Sequence, residues 1–375
     1  CSEPSSVTLP LKGMDFYQLS MSAIQKAGTY ALSQSMLVWA RETLQMPITR
    51  QVCFAAIDHG AIEVVEYLRN AAEHIFPWNS GFCSRAAENG QLELLKWARS
   101  CEKICPWNSY VCYFAALNGH LDVLIWARAQ KPPCPWDWNI CANAAENGHL
   151  HVLKWAKSQD HPVDWEARVC TFAAENGHLE VLKWLRSQNP PCPWNEAVCY
   201  NAAEKGNLDM LQWVRSQDPP CPWSANISIV AARCGHLDVL QWLRSQDPPC
   251  SWNEAVCEHA AKNGDLEMLH WLRSQNPPCP WNAWVCNAAA ENGHLHVLKW
   301  AKAQNPPCDW NVRVCTLAAK HGHLDLLQWA RAQVPPCPWN NHVCAYAARY
   351  SHQQVLQWAS PQNPPPMTVD SMDSQ

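Results

Sequence analysis

The sequence predicts an all-α fold, a solenoid of about eleven helical hairpins, on the basis of three observations. The 375 residues include 23 tryptophans, 21 cysteines and 29 prolines, a skew that a repeated segment would explain. A glycine returns every 29 residues, and each interval holds two short stretches with the apolar spacing of a helix. These glycines are Gly90, Gly119, Gly148, Gly177, Gly206, Gly235, Gly264, Gly293 and Gly322, with Gly60 one residue off this spacing and Ser351 continuing it.

The repeat from Trp194 to Pro222 shows how the first helix arises. This helix is predicted to begin at Asn195, because an asparagine side chain can accept from the free amides of the first turn. Ala202 and Ala203 keep the helix thin, so that neighbouring hairpins can approach closely. Equivalent caps are Asn79, Asn108, Asp137, Ser224, Asn253, Asn282, Asn311 and Asn340, whereas Glu166 departs from the pattern.

A turn and a second helix complete the repeat. Gly206 tolerates the left-handed backbone geometry that the turn requires. Residues 208–214 then carry an apolar stripe at helical spacing, which a lone hairpin cannot bury but stacked neighbours can. An acid in the first turn and a base in the last complement the helix dipole. The double proline of SQDPPCP ends the helix because it supplies no amide donors.

The ends of the chain depart from this repeat, as expected where one face of a terminal hairpin meets water. Residues 1–13 are predicted to be a disordered leader and residues 14–46 a degenerate capping hairpin. The repeat array is predicted to cover residues 47–359, and residues 360–375 to form a disordered tail.

Four stretches carry a resemblance to a known family: ALNGHLDVLIWARAQ, AAENGHLHVLKWAKSQ, AAENGHLEVLKWLRSQ and AAENGHLHVLKWAKAQ. Paired alanines, Gly-His and an apolar helix resemble the core of the ankyrin repeat, over residues 47–359. Variants of N-x-x-V-C replace the family's Thr-Pro-Leu-His, and the repeat has 29 residues where ankyrin repeats have about 33. The resemblance implies that the first helices line a concave face. It also implies that a histidine supports each turn by hydrogen bonds, at His120, His149, His178, His236, His294 and His323.

Charge and motifs argue against several functions. The net charge of -5 leaves no basic excess for a phosphate backbone, so no nucleic-acid partner is expected. No segment has the 18 or so uninterrupted apolar residues of a membrane span. Neither a Gly-rich phosphate loop, a nucleophile elbow nor a paired-carboxylate site is present. The sequence therefore predicts no enzyme, no cofactor and no small-molecule substrate.

The tryptophan, cysteine and histidine ladders are explained by packing between repeats. Within a repeat the loop and helix cysteines are seven residues apart, which matches neither C-x-x-C nor a zinc-finger spacing. We expect buried, reduced thiols in a monomeric intracellular protein of the cytoplasm or nucleus. A structural or metal-buffering thiol array is the alternative.

The candidate binding residues are those that differ from repeat to repeat, since packing does not dictate them. One set follows the loop tryptophan by two or three residues: Tyr110, Trp138, Arg168, Trp284, Arg313 and His342. A second set precedes the turn and changes from acidic to mostly basic: Glu146, Glu175, Glu204, Arg233, Lys262, Lys320 and Arg349. Aromatic and arginine side chains are frequent at interface hot spots. The sequence thus predicts a protein-binding scaffold or adaptor acting through its concave face, and a solvated rim without function is the alternative.

Overall fold

The described part of the chain is entirely helical between its loops. A computed structural model describes residues 38, 47–137, 139–159 and 166–362. Over these residues there are 22 α-helices and no strand, and the helices follow one another as eleven hairpins. The predicted fold class, an all-α helical-hairpin repeat, is confirmed. The predicted leader (1–13) and, apart from residue 38, the capping hairpin (14–46) lie outside the described residues. Of the predicted tail, only Ser360–Gln362 is described, as a short 3-10 helix.

The chain divides into two compact units, unit 1 (Cys1–Pro193) and unit 2 (Trp194–Gln375), and each is described by itself. The helices of unit 1 are α1 (Arg50–His59), α2 (Ile62–Ala71), α3 (Ser80–Glu88), α4 (Leu92–Ser100), α5 (Tyr110–Leu117), α6 (Leu121–Arg128), α7 (Asn139–Glu146), α8 (Leu150–Lys157), α9 (Ala167–Glu175) and α10 (Leu179–Arg186). Those of unit 2 are α11 (Glu196–Glu204), α12 (Leu208–Arg215), α13 (Asn226–Cys234), α14 (Leu237–Arg244), α15 (Glu254–Asn263), α16 (Leu266–Ser274), α17 (Ala283–Glu291), α18 (Leu295–Lys302), α19 (Val312–His321), α20 (Leu324–Arg331), α21 (His342–Arg349) and α22 (Gln353–Ala359).

Within each unit the first helices of successive hairpins pack side by side, and each also packs on the second helix of its own hairpin. The core comes from the same repeat positions throughout. In the first hairpin of unit 2 it consists of Val198, Cys199, Ala202, Ala203, Met210, Leu211 and Val214, all fully buried. Both alanines of the pair are fully buried on a first helix that packs against the next first helix.

Most of the predicted helix starts are confirmed by hydrogen bonds. Oδ1 of Asn195 accepts from the backbone N–H of Ala197 at 3.0 Å. The same bond, to the residue two positions on, is made by Asn79, Asn108, Asp137, Asn253, Asn282, Asn311 and Asn340. After Asn108 and Asn340 the helix begins one residue later than predicted, with Ser109 and Asn341 as N-caps, although both asparagines make the bond. After Ser224 the helix also begins one residue later, after Ala225, and without a side-chain cap, so the Ser224 cap is wrong. Glu166 makes no cap bond either, as its departure from the pattern predicts.

Candidate functional site

Within each unit, repeated tryptophan and basic residues join successive hairpins of the described chain. In unit 2, Nη1 of Arg215 donates to the carbonyl of Cys221 at 2.6 Å, and its guanidinium carbon lies 4.1 Å from the ring centre of Trp223. Trp223 in turn packs edge-to-face on Trp242 of its own hairpin. The same stacking is made by Arg99 on Trp107, Arg128 on Trp136, Arg244 on Trp252, Arg273 on Trp281, Lys302 on Trp310 and Arg331 on Trp339. These tryptophans are therefore engaged in packing.

The histidine ladder supports turns, but those of the preceding hairpin. Nε2 of His294 donates to the carbonyl of Lys262 at 3.0 Å, and its ring covers Gly264, where an added Cβ would lie 2.7 Å from the ring. The same bond is made by His120, His149, His178, His236, His323 and His352. The histidines are thus structural, as expected, although they act between repeats.

The cysteines meet in pairs. A helix cysteine lies beside the loop cysteine that follows it by 22 residues, for example Cys199 beside Cys221. Within the described residues no group of three or more histidine, cysteine or acidic side chains could hold a metal ion. The described residues therefore contain no cluster that would support the alternative prediction of a metal-buffering thiol array.

The candidate residues of unit 1 include one exposed aromatic side chain, one arginine and two acids. Tyr110 is 55% exposed and packs against Tyr113 and Phe114. Tyr110 and Phe114 also line a groove of about 560 Å³. Arg168 and Glu175 are exposed and Glu146 is half-buried, whereas Trp138 lies outside the described residues.

Two candidates of unit 2 lie in direct contact. Trp284 on α17 is 47% exposed, and the guanidinium carbon of Arg313 on α19 lies 4.9 Å from its ring centre. The caps Asn282 and Asn311 hold the backbone N–H groups of these two residues at 2.9 Å each. The repeat therefore places an exposed indole and a guanidinium at the same position of neighbouring first helices.

The next hairpin adds a second group of aromatic and basic side chains. His342, Tyr346 and Tyr350 follow one another at a spacing of four along α21 and its C-cap, with ring centres 5.9 and 6.4 Å apart. The Nζ of Lys320 and the guanidinium of Arg349 each lie 5.9 Å from the ring centre of Tyr350. We name the aromatic–basic strip by its seven residues: Trp284, Arg313, Lys320, His342, Tyr346, Arg349 and Tyr350. The sequence reasoning missed Tyr346 and Tyr350, which their spacing from His342 could have found.

The strip carries three permanent cations, Arg313, Lys320 and Arg349. One acid lies on the same helices, Glu291, 3.8 Å from His321, and because burial lowers the pKa of His321 this acid counts as one negative charge against the three cations. Lys262 is exposed two hairpins before Lys320. The strip is therefore locally positive in a chain whose net charge is -5.

The remaining candidates of unit 2 are paired with each other. Nη2 of Arg233 lies 2.6 Å from Oε1 of Glu204 and 3.2 Å from the hydroxyl of Tyr200. A cavity of about 260 Å³ beside them is lined by Tyr200, Asn226, Ile229, Val230, Arg233 and His259. Burial lowers the pKa of His259, so this ring is neutral at pH 7. Since Arg233 is satisfied by Glu204, it offers less charge to a ligand than Lys320 or Arg349.

The fold and these joints define a helical-repeat protein. No family model matches the sequence, and no curated protein matches it. Among solved structures 77 chains match. One is the pentatricopeptide repeat protein PPR10 in complex with an 18-nt psaJ RNA element, with a TM-score of 0.42 and 10% identity, covering 93% of this chain and 59% of that one. A cysteine-substituted form with the same RNA gives the same values. The third, PPR10 from maize, has a TM-score of 0.34 and 13% identity over 88% and 54% of the two chains.

These comparisons correct two predictions. Two of the three solved structures are RNA complexes, so the predictions of a protein-binding scaffold or adaptor and of no nucleic-acid partner are wrong. Membership of the ankyrin family is not confirmed, whereas a helical repeat is. The chain spans 59% or less of the length of these structures. Among the described residues, no helix is long and apolar enough to cross a membrane.

Proposed function

We propose that unit 2 binds single-stranded nucleic acid along the aromatic–basic strip. The observation that carries this proposal is the contact between Trp284 and Arg313, an exposed indole beside a guanidinium on the neighbouring helix. Aromatic faces on which bases stack, set in a positively charged groove that follows the backbone, are how proteins hold single strands without reading their sequence.

Each part of the strip has a role in this proposal. The indole of Trp284 and the ring of Tyr350 offer faces to unpaired bases, and each stacked base contributes about 1–3 kcal/mol. Arg313, Lys320 and Arg349 neutralise phosphates and release counterions. A single strand is required because in a duplex the faces of the bases are already stacked on one another.

The charges before the turns favour the last two hairpins of unit 2 over unit 1. In unit 1 these positions hold Glu88, Glu146 and Glu175, which would repel a phosphate chain. In unit 2 they include Glu204 and Glu291, but the last two hairpins hold Lys320 and Arg349. Because screening limits such interactions to about 10 Å at 0.1 M salt, the local charge matters more than the net charge of the chain.

The proposal includes a non-catalytic role and an intracellular site of action. No disulfide joins the cysteines of the described residues, and reduced thiols are the state that the cytoplasm and nucleus maintain. Kinship with ankyrin repeats is also a proposal, supported by the alanine pair and the Gly-His turn. The turn histidine binds a carbonyl of the preceding hairpin in seven cases.

The test compares two double variants of the full chain that change the same repeat positions in the two units. Trp284→Ala with Arg313→Ala removes the proposed stacking site and one phosphate contact, so the affinity for a single strand should fall about tenfold or more. Tyr110→Ala with Arg168→Ala is the matched control in unit 1 and should leave the affinity unchanged. Fluorescence anisotropy with labelled uridine and thymidine oligonucleotides of equal length measures both.

The proposed contacts are shared by RNA and DNA. The measured affinities of the two oligonucleotides therefore show which of them the protein prefers. Duplex RNA should compete poorly, because it offers no free base faces. Far-UV circular dichroism shows that the variants retain their helices. The proposal is wrong if the unaltered chain binds neither oligonucleotide, or if the two double variants lose the same affinity.

A further inference from the structure

Seven hairpins bring two cysteines side by side in the core. The pairs are Cys83 with Cys105, Cys112 with Cys134, Cys170 with Cys192, Cys199 with Cys221, Cys257 with Cys279, Cys286 with Cys308, and Cys315 with Cys337. All fourteen are buried. In four of the pairs the helix Sγ lies 3.8 to 4.0 Å from the carbonyl oxygen of its partner. The repeat therefore places all seven pairs at the same two positions of the hairpin, and four of them share this measured geometry.

The hairpin that has Ser228 in place of a cysteine indicates how close the side chains at these two positions come. Ser228 stands where seven other first helices have the paired cysteine, and its Oγ lies 3.4 Å from Sγ of Cys250. Serine differs from cysteine only in the γ atom, so the sulfurs of a cysteine pair approach similarly. A disulfide needs about 2.05 Å between the sulfurs. Closing a disulfide therefore requires the two side chains of a pair to rotate toward each other.

The environment of the pairs also supports thiol chemistry. A hydrogen bond from Cys170 lowers the pKa of Cys192 against the opposing effect of burial, and the nearby Arg186 lowers it further. The thiol of Cys286 lowers the pKa of Cys308 in the same way. Since the thiolate is the nucleophile in thiol–disulfide exchange, one member of such a pair is prepared to attack and the other to resolve.

We propose that these seven pairs are sites of oxidative modification that close into disulfides when the protein meets a low-molecular-weight disulfide of the glutathione type. One protein thiolate attacks a sulfur of the oxidant and releases the first glutathione thiolate. The paired thiol then gives up its proton, attacks the mixed disulfide and releases the second. Each pair loses two electrons and two protons, and one oxidised glutathione becomes two reduced molecules.

Burial makes the reaction depend on local opening of a hairpin, which repeat arrays permit because each repeat contacts only its neighbours. Once closed, each disulfide ties a first helix to the loop that follows the second helix of the same hairpin. Such a cross-link restricts the unfolded chain, so the oxidised protein should unfold at a higher temperature than the reduced one.

The test is non-reducing peptide mapping of the full, native chain after incubation with oxidised glutathione and alkylation of the remaining thiols. We expect seven cross-linked peptides that join the pairs named above. Cys250, which faces Ser228, should remain without a partner inside the chain. Cys234 is exposed and should form a mixed disulfide, which shows that the oxidant was active.

Two variants make the pairing specific. Ser228→Cys should add one cross-link, to Cys250, whereas Cys257→Ser should abolish only the cross-link to Cys279. The proposal is overturned if Cys234 is modified while the fourteen paired cysteines are all alkylated after unfolding. It is also overturned if Ser228→Cys gains no cross-link to Cys250, or if cross-links join cysteines of different pairs as often as those of one pair.

Discussion

At the scale of single residues, two separate constraints favour glycine at the turns: a left-handed backbone and contact with a histidine ring. Gly264 has φ +73°, the left-handed region in which a side chain is strained, and the ring of His294 occupies the space where its Cβ would be. Gly235 has φ +81° but nothing within 4 Å, because Asp265 stands where other hairpins have the histidine. Backbone strain and steric contact are therefore both present at Gly264, and strain alone at Gly235.

Replacing each of these two glycines by alanine should separate the effect of backbone strain from that of steric contact. Gly235→Ala introduces only the strain of a left-handed backbone and should lower the free energy of unfolding by about 1–2 kcal/mol. Gly264→Ala must also displace His294 and lose its bond to Lys262, so it should lower the free energy of unfolding by about 1–3 kcal/mol more. Urea unfolding of the full chain, followed by circular dichroism, measures both. Equal losses would show that His294 moves aside without cost, and adding His294→Ala to Gly264→Ala should recover part of the excess.

At the scale of the element, a basic residue in the last turn of most second helices joins one hairpin to the next within a unit. The sequence predicted only that this base complements the helix dipole. Its other two contacts, to the loop carbonyl and to the next tryptophan, could not be predicted because they depend on how the proline loop returns across the helix end. Lys302 makes both contacts where other hairpins have arginine, at 3.2 Å from the carbonyl of Cys308 and 4.4 Å from the ring centre of Trp310.

Truncating one such joint should cost more than replacing its charge. Arg273 donates to the carbonyl of Cys279 at 2.7 Å and covers Trp281 at 4.4 Å. Arg273→Ala loses a charge-assisted hydrogen bond and a cation–π contact, together about 2 kcal/mol of unfolding free energy. Arg273→Lys should lose less than half of that, as Lys302 shows that lysine can make both contacts. The same loss for alanine and lysine in urea unfolding would mean that the planar guanidinium is required.

At the scale of the whole molecule, the repeat made the fold predictable and the average charge hid the site. The period of 29 residues predicted eleven hairpins and most of their helix starts, because each is a local pattern written many times. Variation between repeats pointed to Trp284, Arg313 and Arg349, but not to the contact between the first two. Nucleic acid was rejected on a net charge of -5, and this sum over the whole chain hides the three cations gathered along the strip.

Salt dependence of the full chain tests whether those cations act together. If Arg313, Lys320 and Arg349 each neutralise one phosphate of a single strand, the logarithm of the affinity should fall with the logarithm of the salt concentration with a slope of about -2. Lys320→Gln should reduce the size of this slope by about 0.7. Lys299→Gln is the matched control, because Lys299 is an exposed lysine of α18, a second helix of the same unit. Anisotropy titrations at several salt concentrations give the slopes. A slope that responds equally to both lysines would place the phosphate chain on the second helices and contradict binding along the strip.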